Sequence, residues 1–222
     1  MKLTPFNFPT HPDRPYLLTS FVSSIDGKII VKEKGYWPIG TQADKEYFTY
    51  LRAHADAIVD AKNTALRFGK YTIRTLHDDM YNSFRKELGK EGKPQYIVVT
   101  SNPDEELKAK LANEHGYTPK YLTPEDGSKR VSITQFISYL NAQGHKTVFI
   151  NGGPIFIAQL LEAGILDEIH LTIAPKVFGS APGKTLTMVE GILLPADNLP
   201  KFELLSVDRL EDEVVLRYKT LT

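Results

Sequence analysis

The sequence contains no cysteine among its 222 residues. This absence excludes disulfide bonds, thiol nucleophiles, iron–sulfur clusters and cysteine-based zinc sites, including the zinc centre of cytidine deaminases. The chain also has no run near the ~20 apolar residues of a membrane-spanning helix. Its first 14 residues include prolines and lack the apolar segment of a signal peptide. We therefore expect a soluble, cytoplasmic protein.

The sequence has no excess charge of either sign, since 27 Lys and Arg balance 27 Asp and Glu. A zero net charge argues against a broad nucleic-acid or anionic-membrane surface, but it leaves room for a local anion pocket. Hydrophobic residues make up 41% and charged residues 24%, as in ordinary globular proteins. The length suits one α/β domain, and we expect residues 1–222 to form it, with residues 1–13 as an N-terminal extension.

Several catalytic patterns are missing as well. The six histidines show no metal-ligand spacing, and no Gly-x-Ser-x-Gly nucleophile motif occurs, because the glycines around Ser180 stand in the wrong register. Covalent catalysis and metal-dependent hydrolysis therefore lack candidate residues. What remains is a site that binds an anionic cofactor, which then supplies the chemistry.

Strand-like and helix-like segments alternate along the chain and end in strands, which predicts a three-layer α/β fold with an antiparallel edge. Residues 67–94 show only a weak pattern, typical of a long irregular or partly helical connection. The predicted strands cover residues 16–22, 28–31, 56–59, 96–100, 117–122, 147–150, 168–173, 202–207 and 214–218. The predicted helices cover residues 42–55, 104–114, 132–141 and 154–163, with a further helical turn from Asn63.

The most distinctive local feature is the turn Asn151-Gly152-Gly153-Pro154-Ile155, between a strand and a helix. Two glycines allow close backbone approach, and a helix start offers N–H groups and a positive dipole end, which suit a phosphate or pyrophosphate. A plain strand-to-helix turn without a ligand fits the pattern equally well.

Ser24-Ile25-Asp26-Gly27 ends the first predicted strand, where short polar residues either face a cleft or simply form a turn. Trp37 either stacks on a ligand ring or covers the core. Arg74 either holds a phosphate or is a solvated surface residue.

Together these motifs resemble the pyrimidine reductases of riboflavin biosynthesis, the C-terminal half of the bifunctional deaminase-reductase. The resemblance extends from about Arg14 to Leu216. It is carried by three segments in matching order, Ser24 to Ile29, Leu51 to Val59, and Phe149 to Gly179. The third segment contains the motifs Asn151-Gly152-Gly153-Pro154, Leu160 to Gly164 and Ile173-Ala174-Pro175-Lys176.

The resemblance implies a dihydrofolate-reductase-like fold, with helices on both faces of a mixed, mostly parallel sheet. It implies NADPH-dependent reduction of a ribosylamino-pyrimidine phosphate at the sugar C1′, as in 5-amino-6-(5-phosphoribosylamino)uracil reductase, and a homodimer formed through Ile165, Leu166 and the C-terminal strands. The implied proton donor is Asp26, Lys176 or water. The implied substrate ligands are Ser24, Asp26 and Arg74. The implied cofactor contacts are Asn151, Gly152, Gly153, Pro154, Ile155, Thr64, Ser101 and Trp37.

The sequence departs from the family pattern at three places. Asp60 stands where relatives usually have glycine, Asn151 stands where they usually have glutamate, and an Asp-Asp-Pro element is missing from residues 66–74. These departures keep two alternatives open. One is a reductase of the same fold with another substrate, such as a pterin, a dihydrofolate or a small carbonyl or imine compound. The other is a non-catalytic nucleotide-binding protein.

Overall fold

The structure is a computed structural model that describes residues 4–33, 38–113 and 115–221. The strands of the described residues are β1 (Tyr16–Ser24), β2 (Ile30–Val31), β3 (Ala57–Ala61), β4 (Gln95–Val99), β5 (Lys120–Leu122), β6 (Thr147–Gly152), β7 (Glu168–Ala174), β8 (Thr185–Leu186), β9 (Lys201–Leu210) and β10 (Glu213–Leu221). The helices are α1 (Gln42–Ala53), α2 (Lys62–Thr75), α3 (Asp79–Glu87), α4 (Glu105–Leu111), α5 (Ile133–Ala142) and α6 (Pro154–Glu162). None of these helices is long and apolar enough to cross a membrane.

The chain divides into two compact units. The first unit comprises Met1–Leu17 and Thr49–Gly153, and the second comprises Leu18–Phe48 and Pro154–Thr222. Strand β1 and helix α1 each contribute residues to both units.

The first unit contains a parallel sheet with the strand order β5-β4-β3-β6. Strands β3, β4 and β6 are mostly apolar runs without alternation, as expected where both faces of a parallel sheet are covered, whereas the short edge strand β5 is Lys-Tyr-Leu. Ile58, Ile97 and Phe149 are fully buried in it. Between β3 and β6 the register skips Asn151, because Val59 pairs with Ile150 and the next residue, Asp60, pairs with Gly152.

The second unit contains β1, β7, β10 and β9 in that order. Strand β1 runs parallel to β7, whereas β10 is antiparallel to both β7 and β9. The short strands β2 and β8 form a separate antiparallel pair. The predictions of a mostly parallel sheet and an antiparallel C-terminal edge are thereby confirmed.

A buried polar chain crosses the second unit from α1 to β10. The Tyr47 hydroxyl lies 2.6 Å from Nδ1 of His170, whose Nε2 lies 2.7 Å from the Glu168 carboxylate. Arg217 forms a bidentate ion pair with the same carboxylate. Burial lowers the pKa of His170, which favours the neutral imidazole in this chain.

The connection over residues 67–94, expected to be irregular or partly helical, is mostly helical, because α2 and α3 occupy most of this segment. The sequence predicts only the first turn of α2, from Asn63, because the buried face of the helix is formed by Ala65, Gly69, Thr72 and Ile73, which are mostly small or hydroxyl-bearing. Their spacing is helical, but they form no apolar stripe. Helix α3 begins at an ordinary cap, in which Asp78 accepts a hydrogen bond from the Met80 N–H at 3.0 Å.

Residues of the predicted N-terminal extension pack within the first unit. Phe6 and Phe8 both contact the His54 ring, and the Phe6 N–H donates to Nε2 of His54 at 3.1 Å. This segment therefore adds an aromatic layer beside Tyr16 and Tyr50.

Candidate functional site

The diglycine turn, residues 151–154, joins β6 to α6. Gly152 has a φ of 142°, a backbone conformation that residues with a Cβ rarely adopt, and the Gly152–Gly153 peptide is cis. A Cβ on Gly153 would lie 3.2 Å from Oγ1 of Thr64 and 3.3 Å from Cβ of Ala61. The second glycine therefore lets the turn pack closely against the junction of β3 and α2.

A buried carboxyl group lies beside this turn. Asp60, near the end of β3, is 0% exposed and accepts hydrogen bonds from the Tyr96 hydroxyl at 2.6 Å and from Nδ2 of Asn151 at 2.8 Å. Burial raises the pKa of Asp60 to about 6, although both hydrogen bonds and the nearby Arg52 guanidinium favour the ionised form.

The bulge in β6 explains why Asn151 reaches Asp60. Asn151 is the extra residue between two paired positions, and a bulge of this kind redirects a side chain. Its Nδ2 also lies 3.4 Å from Oγ1 of Thr72 on α2, whereas its Oδ1 is buried without a hydrogen-bond partner. A buried acceptor in this state is available to a donor from a ligand.

In the second unit, the carboxylate of Asp26 holds the turn after β1 in place by hydrogen bonds. Asp26 accepts hydrogen bonds from the Ser24 hydroxyl at 2.6 Å, the Phe178 N–H at 3.1 Å and the Gly179 N–H at 2.8 Å. These bonds, with that from Ser24 the largest contribution, lower the pKa of Asp26 and favour its ionised form.

Lys176 lies next to this turn, because its carbonyl accepts a hydrogen bond from the Ile25 N–H at 2.8 Å. Its ammonium group donates to the carbonyls of Pro38 at 2.9 Å and Ile39 at 2.7 Å. The structure therefore places the Lys176 backbone beside the turn that holds Ser24 and Asp26, while the Lys176 ammonium group is bound to the carbonyls of Pro38 and Ile39.

Arg74 and Thr64 are not brought together. Both lie on α2, ten residues apart, and a helix rises 1.5 Å per residue, so roughly 15 Å separates them along its axis. Arg74 is exposed in the last turn of α2, where its guanidinium lies 5.3 Å from the Tyr71 ring centre. Its role as a substrate ligand stays a prediction.

The remaining predicted cofactor residues lie near the ends of their elements. Ser101 is exposed just after β4, and Ile155 is 48% exposed in the first turn of α6. Pro154 starts that helix, and Trp37 lies outside the described residues. Sequence reasoning did not assign Tyr96 and Thr72 to the site, and it noted Asp60 only as a departure. The polar residue at 60 inside an apolar strand run was the available signal.

Comparison with known proteins gives a consistent result. The family model described as RibD C-terminal domain matches residues 15–216. A curated 2,5-diamino-6-ribosylamino-4(3H)-pyrimidinone 5′-phosphate reductase from Archaeoglobus fulgidus is 25% identical over 198 residues, which cover 81% of this chain and 89% of that protein.

Two solved structures support the fold. A RibD structure from Acinetobacter baumannii superposes with a TM-score of 0.72 at 18% identity and covers 95% of this chain, which spans only 59% of that RibD chain. A dihydrofolate reductase from Enterococcus faecalis superposes with a TM-score of 0.51 at 15% identity, over 93% of this chain and 97% of that one. The predicted dihydrofolate-reductase-like fold is confirmed.

Proposed function

The chain belongs to the RibD C-terminal domain family, and we propose that it is an NADPH-dependent pyrimidine reductase of riboflavin biosynthesis. Its substrate is a ribosylamino-pyrimidine 5′-phosphate, which it reduces at the ribose C1′. The observation that carries this proposal is the family match, which extends over nearly the whole chain and includes the diglycine turn.

The residues present fit a nicotinamide dinucleotide at the diglycine turn. Oδ1 of Asn151 is buried without a hydrogen-bond partner, which leaves one end of this amide for a ligand to satisfy, and a Cβ on Gly153 would crowd Oγ1 of Thr64 at 3.2 Å. The start of α6 presents the positive end of the helix dipole, which favours a pyrophosphate. Asn151, Gly152, Gly153, Pro154, Ile155 and Thr64 would hold the cofactor here, with Ser101 and Trp37 as further contacts. NADPH, when bound, supplies the hydride.

The substrate would lie at the turn after β1, with Ser24 and Asp26 as ligands, whereas Arg74 belongs to the first unit and its role as a substrate ligand stays a separate prediction. Because its hydrogen bonds favour the ionised form, Asp26 is better suited to accept a hydrogen bond from a substrate hydroxyl than to donate a proton. Lys176 is then the side chain that can deliver the proton, and water is the alternative source.

The proposed assembly is a homodimer. Of the residues expected at the interface, Leu166 is buried and Ile165 is half-buried, so the C-terminal strands supply most of the exposed apolar surface. On β9 the side chains of Leu204, Leu205 and Val207 are 49%, 40% and 59% exposed. Light scattering after size-exclusion chromatography should show a dimer of the 25.0 kDa chain, which Val207→Arg should weaken. A monomer at micromolar concentration would contradict the proposal.

The decisive experiment offers NADPH and two substrates to the purified protein: 5-amino-6-(5-phosphoribosylamino)uracil and its 2,5-diamino-pyrimidinone counterpart. We expect oxidation of NADPH and a ribityl product, detected by mass spectrometry, with at least one of them. Gly152→Asp should abolish both signals. Gly144→Asp, which adds the same charge at another glycine of positive φ (72°) that is exposed and has open space around it, should leave both signals in place.

The same experiment separates the alternatives. NADPH binding without turnover of either pyrimidine, but with turnover of a pterin or a small imine, would assign another substrate to the same fold. Binding without any turnover would assign a non-catalytic nucleotide-binding role.

A further inference from the structure

We propose that Asp60 is a positioning residue that decides which end of the Asn151 amide turns toward a ligand of the diglycine turn, and that protonation of Asp60 reverses this choice. The inference rests on the proposed function, because it takes the dinucleotide cofactor as that ligand. It assigns a role to a carboxyl group that the reductase chemistry itself does not require.

The geometry ties the two side chains to each other. Asp60 uses one oxygen to accept from Nδ2 of Asn151 and the other to accept from the Tyr96 hydroxyl. An ionised carboxylate has no hydrogen to donate, so it can only receive the amide nitrogen. This leaves the amide oxygen of Asn151 turned away from Asp60, buried and without a partner.

Protonation changes what Asp60 can do. A neutral carboxyl group has an O–H donor. While the Tyr96 hydroxyl keeps donating to the other oxygen of Asp60, the acceptor that remains for this donor is the amide oxygen of Asn151, once the amide rotates. An amide has nearly the same shape after its oxygen and nitrogen exchange places, so Asn151 can rotate to accept this hydrogen bond. The amide NH₂ group then takes the place of the unpartnered oxygen.

The groups around Asp60 allow it to exist in both forms. Tyr96 on β4 faces it as a hydrogen-bond donor, Arg52 on α1 lies close enough to favour the carboxylate, and Thr72 on α2 faces the amide of Asn151. Burial opposes ionisation and raises the pKa of Asp60 to about 6. Both protonation states are therefore populated near pH 6.

The two states present different chemistry to a pyrophosphate. With Asp60 ionised, the turn carries a buried negative charge and the unpartnered amide oxygen of Asn151, and both disfavour an anionic ligand. With Asp60 neutral, the charge is gone and two N–H donors are available. Cofactor affinity should therefore increase as the pH falls through about 6, by about fivefold, the effect of one net hydrogen bond.

The first test measures dinucleotide binding by calorimetry between pH 5 and pH 8 for the wild type, Asp60→Asn and Tyr96→Phe. NADH and NADPH are both used, because the 2′-phosphate of NADPH titrates in this pH range. The ratio of the wild-type and variant binding constants at each pH removes the contribution of this phosphate. Asp60→Asn should bind about fivefold more tightly than the wild type at pH 8 and equally at pH 5. Tyr96→Phe removes a donor to the carboxylate, so it should move the wild-type midpoint to higher pH.

Asp44→Asn serves as a matched control. Burial, together with the charge of Glu213, also raises the pKa of Asp44 to about 6. This carboxyl group lies on α1 and belongs to the second unit, whereas Asn151 belongs to the first. The control should retain the wild-type pH dependence of binding. An unchanged pH dependence in Asp60→Asn would overturn the proposal.

A second readout does not depend on the cofactor. The side-chain ¹⁵N–¹H signals of Asn151 should shift with a midpoint near pH 6 in the wild type and stay constant in Asp60→Asn. Constant signals in the wild type would overturn the coupling between the two residues. If these signals titrate but neither dinucleotide binds, the coupling is supported and the proposed cofactor is refuted, so the two failures are distinguishable.

Discussion

Replacing Asp60 with asparagine should change how the stability of the protein depends on pH. The folded protein raises the pKa of this carboxyl group from 3.8 to about 6, because burial penalises the charge. A raised carboxyl pKa stabilises the folded state at pH values below the unfolded pKa, and this contribution is lost as the pH rises through the folded pKa. Each pH unit between the two values corresponds to 1.36 kcal/mol, so the loss amounts to about 3 kcal/mol.

The assay is urea unfolding of the wild type and Asp60→Asn at pH values from 3.5 to 7.5. The wild type should lose about 3 kcal/mol more than the variant over this interval, because asparagine keeps the size and hydrogen bonds of the site but does not titrate. Asp44→Asn should remove a separate loss in the same pH window, since burial also raises the pKa of Asp44 to about 6. Parallel curves for the wild type and Asp60→Asn would refute the reasoning, because the carboxyl group would then not be buried as the structure places it.

Three further predictions concern other parts of the molecule. Gly153→Val should weaken dinucleotide binding at least tenfold in calorimetry, because even its Cβ would lie 3.2 Å from Oγ1 of Thr64; unchanged binding would contradict the packing of the turn. Asp26→Asn should raise the KM for the pyrimidine substrate, since the carboxylate accepts hydrogen bonds from the N–H groups of Phe178 and Gly179 and so orders this loop. An unchanged KM would show that Asp26 is not part of the substrate site. Arg217→Met should destabilise the fold by roughly 3 kcal/mol in urea unfolding, because it leaves the buried Glu168 carboxylate without its cation; a change under about 1 kcal/mol would show that the ion pair contributes little.

Much of the fold could be predicted from hydrophobic patterning. The apolar runs around Ile58, Ile97 and Phe149 identified the central strands, and Ser132 marked the start of α5, where its hydroxyl accepts from the Gln135 N–H at 3.1 Å. Pro154 likewise marked the start of α6. These features are local, so the sequence alone carries them.

Helix α2 shows where this reasoning fails. Its buried face is lined by alanine, glycine and threonine, because it packs closely within the first unit. Close packing selects for small residues, and small residues give no hydrophobic signal. The same segment, which lacks the Asp-Asp-Pro element of the family pattern, brings Oγ1 of Thr72 to within 3.4 Å of the amide nitrogen of Asn151.

The part of the candidate site that lies in a single turn was predictable from the sequence. The part that depends on how β3 and β6 pair was not. The diglycine turn was evident from its residue types. The contact between Asp60 and Asn151 arises from a bulge between two parallel strands, and the 91 residues that separate them in sequence hide it. The pattern could show that position 60 was unusual, but not which residue its carboxyl group would meet.

The most direct test of the proposed function follows the hydride itself. The protein is incubated with NADPH deuterated at the transferring position of the nicotinamide and with each of the two ribosylamino-pyrimidine phosphates, and the products are analysed by mass spectrometry and NMR. We predict a ribityl product that carries deuterium at C1′, formed by the wild type and by Gly144→Asp but not by Gly152→Asp. A wild-type protein that binds the dinucleotide yet transfers no deuterium to either substrate would contradict the assignment as a pyrimidine reductase.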